Sequence, residues 1–116
     1  MRKLINIFKI LADETRIRIL VLLYHKKLCV CQMQGVMKES QPKISKHLAK
    51  LRNMGFVKDK REEKFIFYYL DRDNEILVSV LENILSNIDD YPKLKEDLIR
   101  ISNTDNYIKE KINNSK

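Results

Sequence analysis

A mainly helical fold with one small β-hairpin is predicted by three features of this 116-residue chain. Apolar residues recur at spacings of three and four in several separate segments. Residues 57–70 instead form two runs, the second rich in aromatic and β-branched side chains. Between these patterns lies residues 40–61, a stretch in which seven Lys/Arg face the single acid Asp59.

Each element has its own signal. Leu4, Ile5, Phe8 and Leu11 fall at helical spacing and predict a short first helix. Asp13 is placed to cap a second helix, whose apolar face holds Ile17, Leu20, Val21 and Leu23, with Arg16 and Arg18 pointing elsewhere. After Lys26 and Lys27, the segment Leu28-Cys29-Val30-Cys31-Gln32-Met33 leads into a third short helix. Ser40 is a good N-cap for a fourth, and Pro42 sits in its first turn, where a missing amide hydrogen costs nothing. Within that helix Ile44, Leu48 and Leu51 form a core stripe. Lys43, Lys46, His47 and Lys50 form a cationic one.

Gly55 is suited to end the fourth helix as its C′ residue. Residues 57–61 and 65–70 then read as two strands joined through Glu62, Glu63 and Lys64. Beyond Asn74, the residues Ile76, Leu77, Val80, Leu81, Ile84, Leu85 and Ile88 make a stripe wide enough for two partners. A subunit this small buries a limited core, so a homodimer joined through the first and last helices is expected. Residues 1–90 are expected to form one domain. Residues 91–116 would add a short helix after Pro92, carrying Leu94, Leu98 and Ile101, and a frayed polar tail.

Charge narrows the class of partner. Residues 1–61 hold 15 Lys/Arg and 4 Asp/Glu, whereas residues 62–116 hold 8 and 12, so the formal +7 belongs to one part of the fold. Phosphate backbones attract such a patch by counterion release, which makes double-stranded nucleic acid the leading partner. The longest apolar run, residues 19–24, is too short to cross a bilayer, and no membrane partner is expected. Two cysteines do not make a secreted disulfide framework. A reducing cytosol suits them, so the chain is expected to be cytoplasmic. Enzymatic chemistry is disfavoured: Gly35 and Gly55 are the only glycines and form no phosphate-cradling loop, and His25 and His47 are isolated.

Three stretches together resemble the ArsR-type family of winged helix-turn-helix repressors, in its arsenic-responsive branch. They are the second-helix opening, from Leu11-Ala12-Asp13-Glu14-Thr15-Arg16 to Leu20; the Leu28-Cys29-Val30-Cys31-Gln32-Met33 segment; and Ser40-Gln41-Pro42-Lys43-Ile44-Ser45-Lys46-His47-Leu48 with the exit Gly55-Phe56-Val57. The resemblance implies a winged helix-turn-helix repressor whose basic helix enters the major groove. Ser40, Gln41, Lys43, Ser45, Lys46, His47, Lys50 and Arg52 would serve that helix's contacts, while Lys60, Arg61 and Lys64 would hold the flanking backbone. The family's wing usually turns on glycine. Here Glu62 and Glu63 stand at the tip, where their charge repels phosphate.

Cys29 and Cys31 are the candidate ligands for the inducer, trivalent arsenic or antimony, and no resident cofactor is required. Thiolates select soft ions, and an i, i+2 pair chelates with little loop to close. A third sulfur is often found in this branch where Gln34 stands here, and no other cysteine is present to supply one. On a continuous helix, residues i and i+2 lie about 200° apart, so the helix start is expected to unwind for both thiols to meet one ion. The residues leave alternatives open. The pair could respond to oxidants or to soft metals such as cadmium and lead, or be two buried apolar side chains. The domain could also serve protein contact instead of DNA.

Overall fold

The computed structural model describes residues 1–101; the expected polar tail, residues 102–116, lies outside them. The helices are α1 (Arg2–Leu11), α2 (Glu14–His25), α3 (Val30–Met37), α4 (Gln41–Asn53), α5 (Glu75–Ser86) and α6 (Pro92–Arg100). The strands are β1 (Leu28–Cys29), β2 (Val57–Glu62) and β3 (Phe65–Leu70), in the antiparallel order β1-β3-β2. The winged helix-turn-helix architecture is therefore present, and the hairpin has gained a short third strand. None of the helices described is long and apolar enough to cross a membrane.

The core is built around α2. Ile19, Leu20, Val21, Leu22 and Leu23 are all buried, the pattern of a helix covered on every side, and α2 touches α1, α4, α5, α6 and β3. Its start is set by Asp13, whose carboxylate accepts the Arg16 N–H at 3.0 Å. Ile44, Leu48 and Leu51 of α4 fill the core from one side, and Leu77 and Leu81 of α5 from another. The helix of α5 stops at Ser86, and Ile88 falls in a single 3₁₀ turn, Ile88–Asp90.

Local chemistry closes α4 at both ends. Ser40 Oγ accepts the Lys43 N–H at 3.4 Å, as its capping role requires. At the other end Gly55, with φ of 82°, lets its own N–H reach the Arg52 carbonyl at 3.0 Å and the Phe56 N–H reach that of Leu51 at 2.9 Å. These two bonds make a Schellman motif, which needs a left-handed residue at this position. The chain then enters β2 at a defined angle. In the hairpin Val57 pairs with Leu70 and Glu62 with Phe65, and Glu63 takes the left-handed turn position (φ 55°) that glycine would occupy without strain.

Arg18 corrects the sequence reading. It does not point away from the core: it is 3% exposed, and its Nε and Nη2 fork onto the Asp97 carboxylate at 2.8 Å each. Asp97 is 1% exposed and belongs to α6. Arg18 Nη2 also donates to the Met37 carbonyl at 2.8 Å, and Arg100 donates to that of Val36 at 2.9 Å. Thus α6 is fastened both to α2 and to the last turn of α3, with Leu94 in the shared core. A buried charge pair is tolerated when its donors find partners, and here the fork, the carbonyl and a Glu39 contact at 3.5 Å engage all three guanidinium nitrogens.

Candidate nucleic-acid interface and thiol pair

Placing the core stripe of α4 inward leaves its other residues outside. Gln41, Lys43, Lys46 and Lys50 are exposed, whereas Ser45 and His47 are half-buried. Gln41 donates its side-chain amide to Ser45 Oγ at 2.6 Å, so these two polar groups are held as one unit on the first turns of the helix. Lys43 lies 3.4 Å from Glu39. His47 lines a hollow with Asp13, Arg16, Lys46 and Lys50, on the flank that meets the start of α2. Burial holds its pKa below the ordinary value, against the attraction of Asp13, and the neighbouring cations act in the same direction as burial.

The basic residues of the wing, Lys60, Arg61 and Lys64, are exposed on the same hairpin. Arg52 is engaged elsewhere: its Nη1 lies 3.0 Å from the Asp59 carboxylate, a bond that links the end of α4 to β2. The acidic tip is partly answered as well. Both Glu62 oxygens lie 2.8 Å from Lys27 Nζ, which also sits 5.3 Å over the Phe67 ring.

The cysteines are arranged differently from the expectation of a continuous helix. The helical conformation of α3 begins at Val30, and Cys29 is its N-cap, extended at φ −90° and ψ 167°. Because the two residues straddle the helix start, their side chains converge, and the sulfurs are 2.7 Å apart without any unwinding. Gln32 fixes this geometry. Buried at the third helical position, it closes a capping box on Cys29, with Oε1 accepting the Cys29 N–H at 2.9 Å. The sequence carried that signal, since Cys-x-x-Gln has the spacing of Ser-x-x-Gln with sulfur in place of oxygen.

Cys29 is buried and Cys31 half-buried, and both are free thiols. Burial, and then the neighbouring Cys29, push the Cys31 thiol up to about 12. Cys31 is therefore a protonated thiol at neutral pH. No cluster of three His, Cys, Asp or Glu side chains suited to a metal ion occurs among the described residues, so the pair offers two sulfurs.

Helix-turn-helix, wing and exposed basic helix define the class of winged-helix regulators, and known proteins agree. Residues 13–59 match the family described as bacterial regulatory protein, arsR family. An uncharacterized HTH-type transcriptional regulator of Methanocaldococcus jannaschii, MJ1325, is 42% identical over 83 residues, 69% of this chain and 93% of that protein. The chain belongs to the arsR family of bacterial regulatory proteins. The arsenical resistance operon repressor of Escherichia coli K12 is 49% identical over 67 residues, 57% of each chain, so the match spans little more than half of that relative. Among solved structures, HlyU from Vibrio cholerae superposes with a TM-score of 0.66 at 30% identity, covering 72% of this chain and 88% of that one.

Proposed function

We propose that this protein is a homodimeric, DNA-binding transcriptional repressor, released from its operator when Cys29 and Cys31 capture trivalent arsenic or antimony. The observation that carries the effector assignment is the convergence of two free sulfurs at the start of α3, Cys29 at its N-cap and Cys31 in its first turn, in the helix that leads into α4. Soft donors select thiophilic ions, and a small thiol from solution can complete the coordination. The name of the Escherichia coli relative supports the same effector class.

The DNA assignment rests on α4. Lys43, Lys46 and Lys50 are outward, and Gln41 and Ser45 present a fixed polar pair suited to base edges. His47 is assigned to the helix flank and the backbone beside α2. Lys60, Arg61 and Lys64 are assigned to the phosphates beyond, and Arg52 acts through Asp59 by bracing the wing. Dimerisation is assigned to α1 and α5. Phe8 is 61% exposed and Ile76 48%, Ile5 is also exposed, and the start of α5 and α1 border one hollow through Lys3, Asn6, Ile7, Asn74 and Ile76.

Signalling follows from the cap. Bonding both sulfurs to one ion loads the Cys29–Gln32 box, and α3 passes the change across the Lys38–Glu39 turn to α4, a shift between two populations. Electrophoretic mobility of a duplex taken from upstream of the chain's own gene tests the DNA reading. With six or more phosphates contacted, affinity is expected to fall about a thousandfold between 50 and 200 mM salt. A salt-independent shift, or none, would overturn it in favour of a protein-contact module.

A further inference from the structure

The wing contains an acid where phosphate is expected, and the residue that neutralises it lies beside the thiol pair. Lys27 Nζ bridges both oxygens of Glu62 at 2.8 Å and covers the Phe67 ring, while two residues later Cys29 pairs with that same Phe67 in the β1–β3 ladder. Leu28 pairs with Tyr68 in the adjacent rung. Residues 27–29 are therefore attached to the wing by a side-chain bridge and a backbone ladder, and Cys29 also opens α3.

We propose that Lys27 is a positioning residue that masks the charge of Glu62 and holds the wing against DNA, and that capture at Cys29 undoes the mask by shifting β1. This rests on the DNA-binding reading above. The logic is electrostatic. While Lys27 stays in place, Glu62 adds no net repulsion next to Lys60, Arg61 and Lys64. Once β1 moves, a second carboxylate beside Glu63 faces the phosphate backbone, and the wing's share of binding weakens. The α4 route described above and this wing route start from the same sulfur but end on different elements.

The pair is exposed, with Lys27 53% and Glu62 34% accessible, so its contribution to fold stability is small and DNA affinity is the informative readout. A double-variant cycle on operator affinity, measured by fluorescence anisotropy with the full chain, separates masking from simple summation of charge. Lys27→Gln is expected to weaken binding about five- to tenfold at low salt and to leave the salt slope nearly unchanged, because Lys27 bonds Glu62 and not phosphate. Glu62→Gln alone should change affinity by less than about twofold, yet in the Lys27→Gln background it should restore most of the loss. Lys27→Arg should bind like the unaltered chain. With arsenite present, Glu62→Gln should be released several-fold less completely than the unaltered protein. Additive effects of the two substitutions, with Glu62→Gln strengthening binding equally in both backgrounds, overturn the mask. Failure of the unaltered chain to bind the duplex overturns the DNA reading together with it.

Discussion

Replacing Asp97 with alanine is expected to remove about 3–5 kcal/mol of stability, the usual consequence of stripping one partner from a buried ion pair. Arg18 would then keep its charge at 3% exposure, with the Met37 carbonyl and the more distant Glu39 as its remaining partners. The substitution also cuts the tie between α6 and α2, leaving the Arg100 bond to the Val36 carbonyl to hold α6 to α3. Urea unfolding followed by circular dichroism measures the change. A loss below about 1 kcal/mol would mean that α6 is an appendage and that Arg18 finds water instead. The paired substitution Arg18→Met, Asp97→Leu should recover much of the loss, because apolar side chains of similar volume need no compensation.

The second large effect is a contrast in pH dependence between two kinds of effector. Cys31 is held protonated at neutral pH by burial and by Cys29. Binding a bare divalent cation such as cadmium must release that proton, so its affinity should rise at least about tenfold for each unit between pH 6 and 8. Arsenous acid behaves otherwise. Two S–H groups and As(OH)₃ give two S–As bonds, one remaining hydroxide and two waters, with no net proton released. Its affinity should therefore vary by less than about threefold over the same range. The raised pKa thus opposes cations and leaves the hydroxo-metalloid untouched. Calorimetric titration in two buffers of different ionisation enthalpy reads the proton count directly, and an arsenite affinity climbing with pH as steeply as that of cadmium would contradict the argument.

Much of the fold was legible because its signals are local. The start of α4 needed only Ser40 and Pro42, its end only Gly55, and the core stripe Ile44, Leu48 and Leu51 only the helical period. Arg18 was not legible for the opposite reason. Its partner lies 79 positions away, and a basic residue off the apolar period reads as solvent-facing until α6 is in place. The thiol geometry turned on a single residue. With α3 starting at Val30 and Cys29 outside it, i and i+2 converge; inside a helix they would diverge. Arg52 shows the same limit, since a basic residue on a DNA-facing helix reads as a DNA contact until Asp59 is found beside it.

The central claim is that two sulfurs at the cap of α3 control the grip on DNA, and the Cys29→Ser, Cys31→Ser protein tests it most directly. Hydroxyl groups preserve the capping chemistry of Gln32 and remove the affinity for arsenic. In an anisotropy titration with operator duplex, this variant should bind within about threefold of the unaltered chain and stay bound as arsenite is added, while the unaltered chain dissociates, by a coupling factor of about 5–150. Release of the variant by arsenite at the same concentration would place the sensing chemistry elsewhere in the molecule and contradict the account.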